Sequence, residues 1–201
     1  MNRTTVVAVV AALLAGCSAL PSPQVETSNV YLLEARSADR PARPEGKLVI
    51  AVSAPRARPG FDTAQIAYVR QPHELDYFVT SRWADTPSRM LAPLLAQALE
   101  QRGGFRAVAH NPAAVAADLR LDTELVRLQQ DFGVRPSRVD LALRAQLVDL
   151  RSTRVLAAME FTETENAPHE DAYGGVIAAN RALQRMLARV ADFCAEHADR
   201  Q

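Results

Sequence analysis

The sequence predicts a single α/β domain in which a mixed, largely antiparallel sheet is covered by two long helices. Several short segments alternate apolar and polar residues with a period of two, which is typical of half-buried strands. Two longer segments carry one apolar stripe at helical spacing. The 201-residue chain is 48% hydrophobic and 23% charged, a composition that suits one globular domain with one core.

The strands predicted before the first helix are short and are separated by proline-containing loops. Residues 30–33 could form a first strand, and 47–52 are apolar enough for a buried strand that ends before Pro55. Residues 65–69 and 75–83 then predict a strand pair joined through Gln71-Pro72-His73. In the second strand the side chains expected to share one apolar face are Leu75, Tyr77, Val79 and Trp83. Phe78 is the exception to the alternation, since it is apolar but falls on the other face.

The first helix follows this strand pair directly. Asp85 or Thr86 can cap it, and Pro87 fits the first turn, where a missing N–H is harmless. Gly103-Gly104 ends the helix. Its predicted apolar stripe consists of Leu91, Leu94, Leu95, Ala98 and Leu99.

The second half of the chain predicts a meander followed by a long helix. Residues 105–109, 118–128, 138–147 and 155–161 are expected to form an antiparallel meander with one solvated face. The final helix extends from about residue 171 to 198, with Gly174 and Gly175 expected to delay its start. Its apolar stripe consists of Val176, Ala179, Leu183, Met186, Leu187, Val190, Phe193, Cys194 and His197.

The N-terminus has the layout of an export signal. Arg3 is followed by about ten apolar residues and then by small residues, and this stretch is too short to span a bilayer. Residues 1–16 are therefore predicted to be a signal peptide. Residues 17–29, which are rich in proline and serine, are predicted to be a tether, and 30–198 the folded domain.

Leu14-Ala15-Gly16-Cys17 looks like a bacterial lipobox, in which the cysteine thiol is acylated and becomes the new N-terminus. We expect lipid on Cys17 to hold the domain at a membrane. The alternative is an ordinary signal peptide with an incidental cysteine. Ser18 follows the cysteine, and by resemblance to sorting in many Gram-negative bacteria this favours the outer membrane over the inner membrane.

The sequence predicts no catalytic site, no metal site and no nucleic-acid site. Basic and acidic residues number 23 each, so the chain has no electrostatic reason to bind nucleic acid. The four histidines are isolated from one another, and no nucleophile or phosphate-binding motif is present. Cys194 lies on the apolar stripe, where a small buried hydrophobe is the favoured interpretation. We expect Glu160, Glu163 and Glu165 to lie on a solvated strand face.

An aromatic concentration in the predicted strand pair has two interpretations. The rings could pack in the core against the first helix, or they could form an exposed patch for a partner or lipid. On the second interpretation the candidate contact residues are Tyr68, Tyr77 and Trp83.

The mature chain resembles the ABC-type transport auxiliary lipoprotein family over residues 30 to about 195. The resemblance is carried by the lipobox, Tyr31-Leu32-Leu33, Leu48-Val49-Ile50-Ala51-Val52, Ile66-Ala67-Tyr68, Leu75-Asp76-Tyr77-Phe78 and Trp83-Ala84-Asp85-Thr86-Pro87. It implies a fold similar to the N-terminal domain of TolB-type proteins, no catalysis and no cofactor besides the acyl lipid. The implied partners are an MCE-domain protein with its ABC permease and ATPase; homo-oligomerisation stays open.

Two alternatives to a transport accessory remain at this point. One is a periplasmic lipoprotein that carries a lipid or small hydrophobic ligand in an apolar groove. The other is an envelope hydrolase whose active-site residues meet only in three dimensions.

Overall fold

The computed structural model describes residues 28–35, 41–110 and 116–199, and the predicted lipidation residue Cys17 lies outside them. The described chain forms one sheet of nine strands and two helices. The helices are α1, Pro87–Arg102, and α2, Ala172–Ala198. The strands are β1 Asn29–Tyr31, β2 Val49–Val52, β3 Arg56–Ala57, β4 Gln65–Val69, β5 Asp76–Trp83, β6 Ala107–Ala109, β7 Leu119–Asp131, β8 Arg138–Asp149 and β9 Arg154–Asn166.

The sheet is organised around β7, which pairs along its length with β8 on one side. On its other side β7 pairs in parallel with three short strands, β2, β3 and β4. From β4 the sheet continues to β5 and then to β1, and from β2 it continues to β6. Beyond β8 lies β9. Thus β1 and β9 lie at opposite edges of the sheet.

The predicted fold class is confirmed, with one correction in the meander. The long pairings β7–β8 and β8–β9 are antiparallel, and so is β4–β5. Strand β6, however, joins β2 in parallel and takes no part in the meander. A parallel neighbour needs a crossover connection, and the chain between β2 and β6, which contains α1, supplies it.

Both helices pack on one face of the sheet with the stripes that the sequence predicts. Leu91, Leu95 and Leu99 of α1 are each 1% exposed. On α2 the buried stripe includes Leu183, Met186 and Val190, which join the same core as the inward side chains of β7 and β8. Gly103 and Gly104 end α1 with φ of 70° and 87°, a conformation that L side chains rarely adopt.

The start of α2 differs from expectation, because Gly174 and Gly175 lie inside its first turn. Asp171 caps the helix through a hydrogen bond of 2.7 Å that the backbone N–H of Gly174 donates to its carboxylate. A Cβ on Gly175 would lie 2.2 Å from Oε1 of buried Gln130 on β7, and one on Gly174 would lie 2.1 Å from a backbone carbonyl oxygen. Gly175 therefore allows the helix to approach the sheet closely, and Gly174 allows the loop at His169 to fold against the first turn of the helix.

Strand β5 also departs from the predicted alternation. Gln65 pairs with Arg82 but Ala67 pairs with Tyr77, so β5 has additional residues between these two pairs. Val79 lies in this irregularity and is 87% exposed instead of facing the core. Extra residues in one strand of a pair change the directions of the side chains nearby. This explains why the prediction of strict alternation along β5 is wrong at Val79.

Candidate partner-contact site

The three aromatic residues predicted as a contact surface have three different environments. Trp83 is 2% exposed and belongs to the core, so the prediction that it forms part of an exposed contact surface is wrong. Tyr77 is half-buried and its hydroxyl donates a hydrogen bond of 2.9 Å to the carbonyl oxygen of Gly60. Because Tyr77 pairs with Ala67, it lies on the opposite face of the sheet from Tyr68, the next residue along β4.

Tyr68 belongs to an aromatic cluster that we define by Tyr68, Phe78 and Phe132. The centroid of the Tyr68 ring lies 4.7 Å from that of Phe78 and 5.8 Å from that of Phe132, and the latter two lie 6.2 Å apart. The guanidinium carbon of Arg70 lies 5.2 Å from the Tyr68 centroid. All three rings are half-buried, so each offers both a packed and an accessible surface.

Phe132 was not identified from the sequence, although it completes this cluster. It follows the last residue of β7 and precedes the Gly133-Val134 turn, and its backbone N–H donates to the carbonyl oxygen of Val69 at 2.8 Å. A single aromatic residue at the end of a strand carries no periodicity. Only the parallel pairing of β4 with β7 brings it to Tyr68.

An open cleft of about 340 Å³ lies at the same end of the sheet, between the turn after β4 and the turn after β7. Its lining combines the cation of Arg70 and the carboxylate of Asp131 with apolar Val134. Asp131 also pairs with Arg138 at 3.6 Å. Rings, a guanidinium and exposed turn backbone suit recognition of a protein segment. The remaining lining residues are Val69, Gln71, Pro72, His73, Gln129 and Gly133.

The three glutamates of β9 do not share a face, contrary to the prediction. Glu163 and Glu165 face α2, where Glu163 accepts hydrogen bonds from Arg185 at 3.0 Å and Arg189 at 2.7 Å. Burial raises the pKa of Glu163, but the hydrogen bonds from Arg189 and Arg185 outweigh that effect and hold it below its ordinary value. Glu160 lies on the other face and pairs with Arg144 at 3.1 Å. This sheet–helix network explains the pKa shift without any catalytic role.

The same two arginines also cover part of the backbone edge of β9. Arg185 donates a hydrogen bond of 3.1 Å to the carbonyl oxygen of Thr164, and Arg189 donates one of 3.1 Å to that of Thr162. We call this pair the arginine clamp. It occupies acceptors that an edge strand would otherwise present to another strand.

The face of the sheet opposite the helices carries its charges as cross-strand pairs. Arg144 on β8 lies in register between Glu124 on β7 and Glu160 on β9. Burial raises the pKa of Asp122, whereas hydrogen bonds from Arg120 and Ser53 lower it more strongly. This is the solvated face that the sequence predicts, and its charges balance one another.

The groups that could serve catalysis or bind metal are dispersed in the described part of the chain. No three His, Cys, Asp or Glu residues among the described ones are close enough to hold a metal ion. Cys194 is buried in the core, as predicted, and burial raises the pKa of its thiol. Neither α1 nor α2 is long and apolar enough to cross a membrane.

Comparisons with known proteins agree with this geometry. A family model described as "ABC-type transport auxiliary lipoprotein component" matches residues 31–191. The fold is similar to that of protein XCC0632 from Xanthomonas campestris, with a TM-score of 0.77 and 23% identity over 86% of this chain and 98% of that one. No curated protein matches the chain in sequence.

Two further solved structures share the fold at lower similarity. An uncharacterized protein has a TM-score of 0.67 and 14% identity over 83% of this chain and 98% of its own. The hypothetical protein CT253 from Chlamydia trachomatis has a TM-score of 0.54 and 8% identity over 79% of this chain and 100% of its own. At these identities the likeness shows the fold alone.

Proposed function

The chain belongs to the ABC-type transport auxiliary lipoprotein family, and from this membership we propose its role in an intermembrane lipid transport system. In this proposal the protein is a non-catalytic accessory that docks onto the MCE-domain protein of an ABC transporter, beside the permease and ATPase. The family match over 31–191 is the observation that carries it. It begins at the last residue of β1, includes β2 to β9 and α1 in full, and ends about two turns before the end of α2.

The anchor in this proposal is acyl lipid on Cys17, with the folded domain on the periplasmic face of the outer membrane. The family is one of lipoproteins, which places the protein in the cell envelope at a membrane. The choice of the outer membrane rests on Ser18, which follows the lipobox cysteine. Lipid with two or more acyl chains gives stable anchoring, whereas one chain binds only marginally.

The proposed docking site is the aromatic cluster together with the cleft beside it. Rings with a guanidinium over one face are the type of residue that dominates protein–protein contacts. Arg70 and Asp131 at the cleft add charges of both signs, which would fix the orientation of a bound segment. Tyr77, on the other face and bonded to Gly60, supports the adjoining loop, so we assign it a supporting role in the contact.

The proposal is tested by site-specific photocrosslinking in cells, followed by mass spectrometry of the captured proteins. A photoreactive phenylalanine derivative replaces Tyr68 in one strain. The matched control carries it at Met159, which is 46% exposed on the edge strand β9, three strands away from β4. We expect an MCE-domain protein to be captured from position 68 and not from 159.

Capture of an MCE-domain protein from both positions would leave the function standing and overturn the docking site. Capture from neither position, with affinity purification of the lipidated protein also recovering no transporter subunit, would overturn the function. The matching substitution Tyr68→Ala should reduce recovery of the partner in the same purification.

The ligand-carrier alternative requires an enclosed apolar pocket, and neither of two spaces in the described part of the chain has that form. The space between α1 and α2 measures about 40 Å³, and the cleft beside the aromatic cluster, about 340 Å³, is open with a partly polar lining. Pockets for small hydrophobic molecules are usually about 300–1,000 Å³ and enclose most of the ligand. Lipid that co-purifies with the detergent-extracted protein in stoichiometric amount would favour the carrier instead.

A further inference from the structure

Residues 29–35 lie between the predicted tether and the rest of the domain, and we call them the N-terminal strap. Among these seven residues only the side chain of Leu33 is buried. Tyr31 and Ala35 are half-buried, and the other four residues are exposed. In the next strand, β2, all four residues are buried. The strap therefore contributes little to the core for its length.

The strap is attached to the domain mainly by hydrogen bonds of its backbone. Strand β1 pairs with only three residues of β5, and the N–H of Ala84 donates to the carbonyl oxygen of Tyr31 at 2.7 Å. After β1 the partner is a side chain of α2. The amide of Asn180 accepts from the N–H of Glu34 at 2.8 Å and donates to the carbonyl oxygen of Leu32 at 3.2 Å. One side chain thus supplies a donor and an acceptor, as a neighbouring strand would.

The remaining elements do not depend on the strap for their pairing. Strand β1 is a terminal strand of the sheet, and β5 stays paired with β4 without it. In the core, Leu33 lies beside Leu91 of α1 and Leu183 of α2. The Tyr31 ring stacks on Tyr173 with centroids 6.0 Å apart. A terminal segment with one buried apolar side chain is the kind that opens at a lower free energy than the whole domain.

A second attachment of the chain follows at the C-terminal ends of the two helices. The N–H of Arg43 donates to the carbonyl oxygen of Arg102 at 2.8 Å, and the Arg102 guanidinium donates to the carbonyl oxygen of Pro41 at 3.3 Å. The Arg43 guanidinium pairs with Asp199 at 2.9 Å. Release of the strap alone would therefore end at Pro41.

The two attachments set two lengths for the chain between the predicted lipid and the domain. Cys17 and Asn29 are twelve residues apart in sequence, which allows at most about 40 Å when fully extended. Cys17 and Pro41 are 24 residues apart, which allows at most about 80 Å. Opening of the strap would thus double the greatest distance between the anchor and the fold.

We propose that the N-terminal strap is a releasable join between the lipid anchor and the domain. It opens as a unit while the rest of the sheet and both helices stay folded. The inference rests on the proposed lipidation of Cys17. Asn180 holds the strap closed, because its amide bonds the backbone on both sides of Leu33. A docked partner that pulls on the domain would favour the open form, since that form is longer.

The test is hydrogen exchange of the full protein, purified from membranes in detergent and read by mass spectrometry. We expect backbone amides of the strap to exchange at least about 100-fold faster than those of β2. Asn180→Ala removes two hydrogen bonds and should speed exchange in the strap by about 10–30-fold without changing β2. The matched control is Asn166→Ala, an exposed asparagine at the end of β9, which should change neither segment.

A disulfide across the β1–β5 pair provides a variant in which the strap stays closed. Val30 and Arg82 are partners in the register, so Val30→Cys with Arg82→Cys brings two thiols together. The oxidised protein should lose the fast exchange over residues 31–35, and the reduced protein should keep it.

Equal exchange of the strap and β2 in the wild type would overturn the inference, because the strap would then open only when the whole domain unfolds. Fast exchange that persists in the oxidised protein would also overturn it, since local fraying would be the cause. So would equal acceleration of the strap and β2 by Asn180→Ala. Mass spectrometry of the intact protein reports whether Cys17 carries lipid, so failure of the anchor and failure of the strap are distinguishable.

Discussion

Two edge strands of the sheet, β1 and β9, carry similar apolar side chains but expose very different lengths of backbone. Strand β1 has three residues, and Val30 on it is 51% exposed. Strand β9 has thirteen residues, and Val155 on it is 55% exposed. A long free strand is a template for pairing with another chain, whereas a short one offers few hydrogen bonds. The longer edge therefore needs protection that the shorter one does not.

The arginine clamp supplies that protection over the second half of β9. Arg185 and Arg189 bind backbone oxygens of Thr164 and Thr162 while their guanidiniums pair with Glu163. Helix α2 thus stabilises the core with one side and covers the sheet edge with the other. The first half of β9, near Met159, has no such cover from the described residues. The comparison shows that part of the longer edge is covered by charged side chains of α2, whereas the shorter edge exposes little backbone.

The largest effect is expected within the β1 edge, where neighbouring leucines have opposite roles. Leu33 is 6% exposed and packs in the core, whereas Leu32 is 53% exposed. Leu33→Ala should lower the free energy of unfolding by about 2–4 kcal/mol through lost burial and a cavity. Leu32→Ala should change it by less than about 0.5 kcal/mol. Urea unfolding of both variants measures the difference, and equal effects would contradict the edge assignment.

At the β9 edge, Glu163→Ala should be the most damaging surface substitution. The Glu163 side chain is 12% exposed and accepts hydrogen bonds from both clamp arginines. Its loss should cost about 1–3 kcal/mol, since charged hydrogen bonds to two partners disappear. Glu160→Ala, on the solvated face of the same strand, should cost no more than about 1 kcal/mol. Thermal unfolding compares them, and a more damaging Glu160 variant would refute the assigned facing.

Acid should weaken the contribution of the arginine clamp to stability. The pKa of Glu163 is lowered in the folded protein from its ordinary 4.5, so its stabilisation is present above that value and is lost as pH falls through the folded pKa. The gap in unfolding free energy between wild type and Glu163→Gln should therefore narrow below about pH 4.5. Urea titrations at several pH values measure it. A gap that stays constant down to acid unfolding would exclude this linkage.

Opening the clamp is expected to change association with other copies of the chain. Arg185→Ala with Arg189→Ala frees two carbonyl oxygens at the β9 edge and should raise concentration-dependent self-association. Arg181→Ala is the control, since Arg181 pairs with Glu165 at 3.6 Å and bonds to no carbonyl among the described residues. Sedimentation velocity compares them. Equal association of both would show that the clamp does not guard the edge.

The sequence predicted the two helices and most strands because their periodicity is long and unambiguous. The stripe through Leu91, Leu95 and Leu99 is one example, and the alternation from Val139 to Leu147 is another. Both patterns depend only on neighbours within a few turns or residues. Of the two interpretations of Trp83, the structure supports packing in the core.

What the sequence missed depends on pairings between distant segments. The exposed position of Val79 requires the register irregularity between β4 and β5. The facing of Glu163 depends on α2 bringing Arg185 to the strand from 22 residues away. Phe132 reaches Tyr68 only because β4 and β7 are parallel neighbours. Such contacts leave no local pattern, so the aromatic cluster could not be completed from residue spacing.

The branching of the sheet at β7 also implies an order of assembly. Strands β7, β8 and β9 are joined by short turns and can pair soon after synthesis, because their contacts are close in sequence. The N-terminal strands β2, β3 and β4 must wait for β7, since it is the common neighbour of all three. We therefore expect pulse-labelled hydrogen exchange during refolding to show protection first in the meander. The N-terminal strands would then be the last part of the sheet to close.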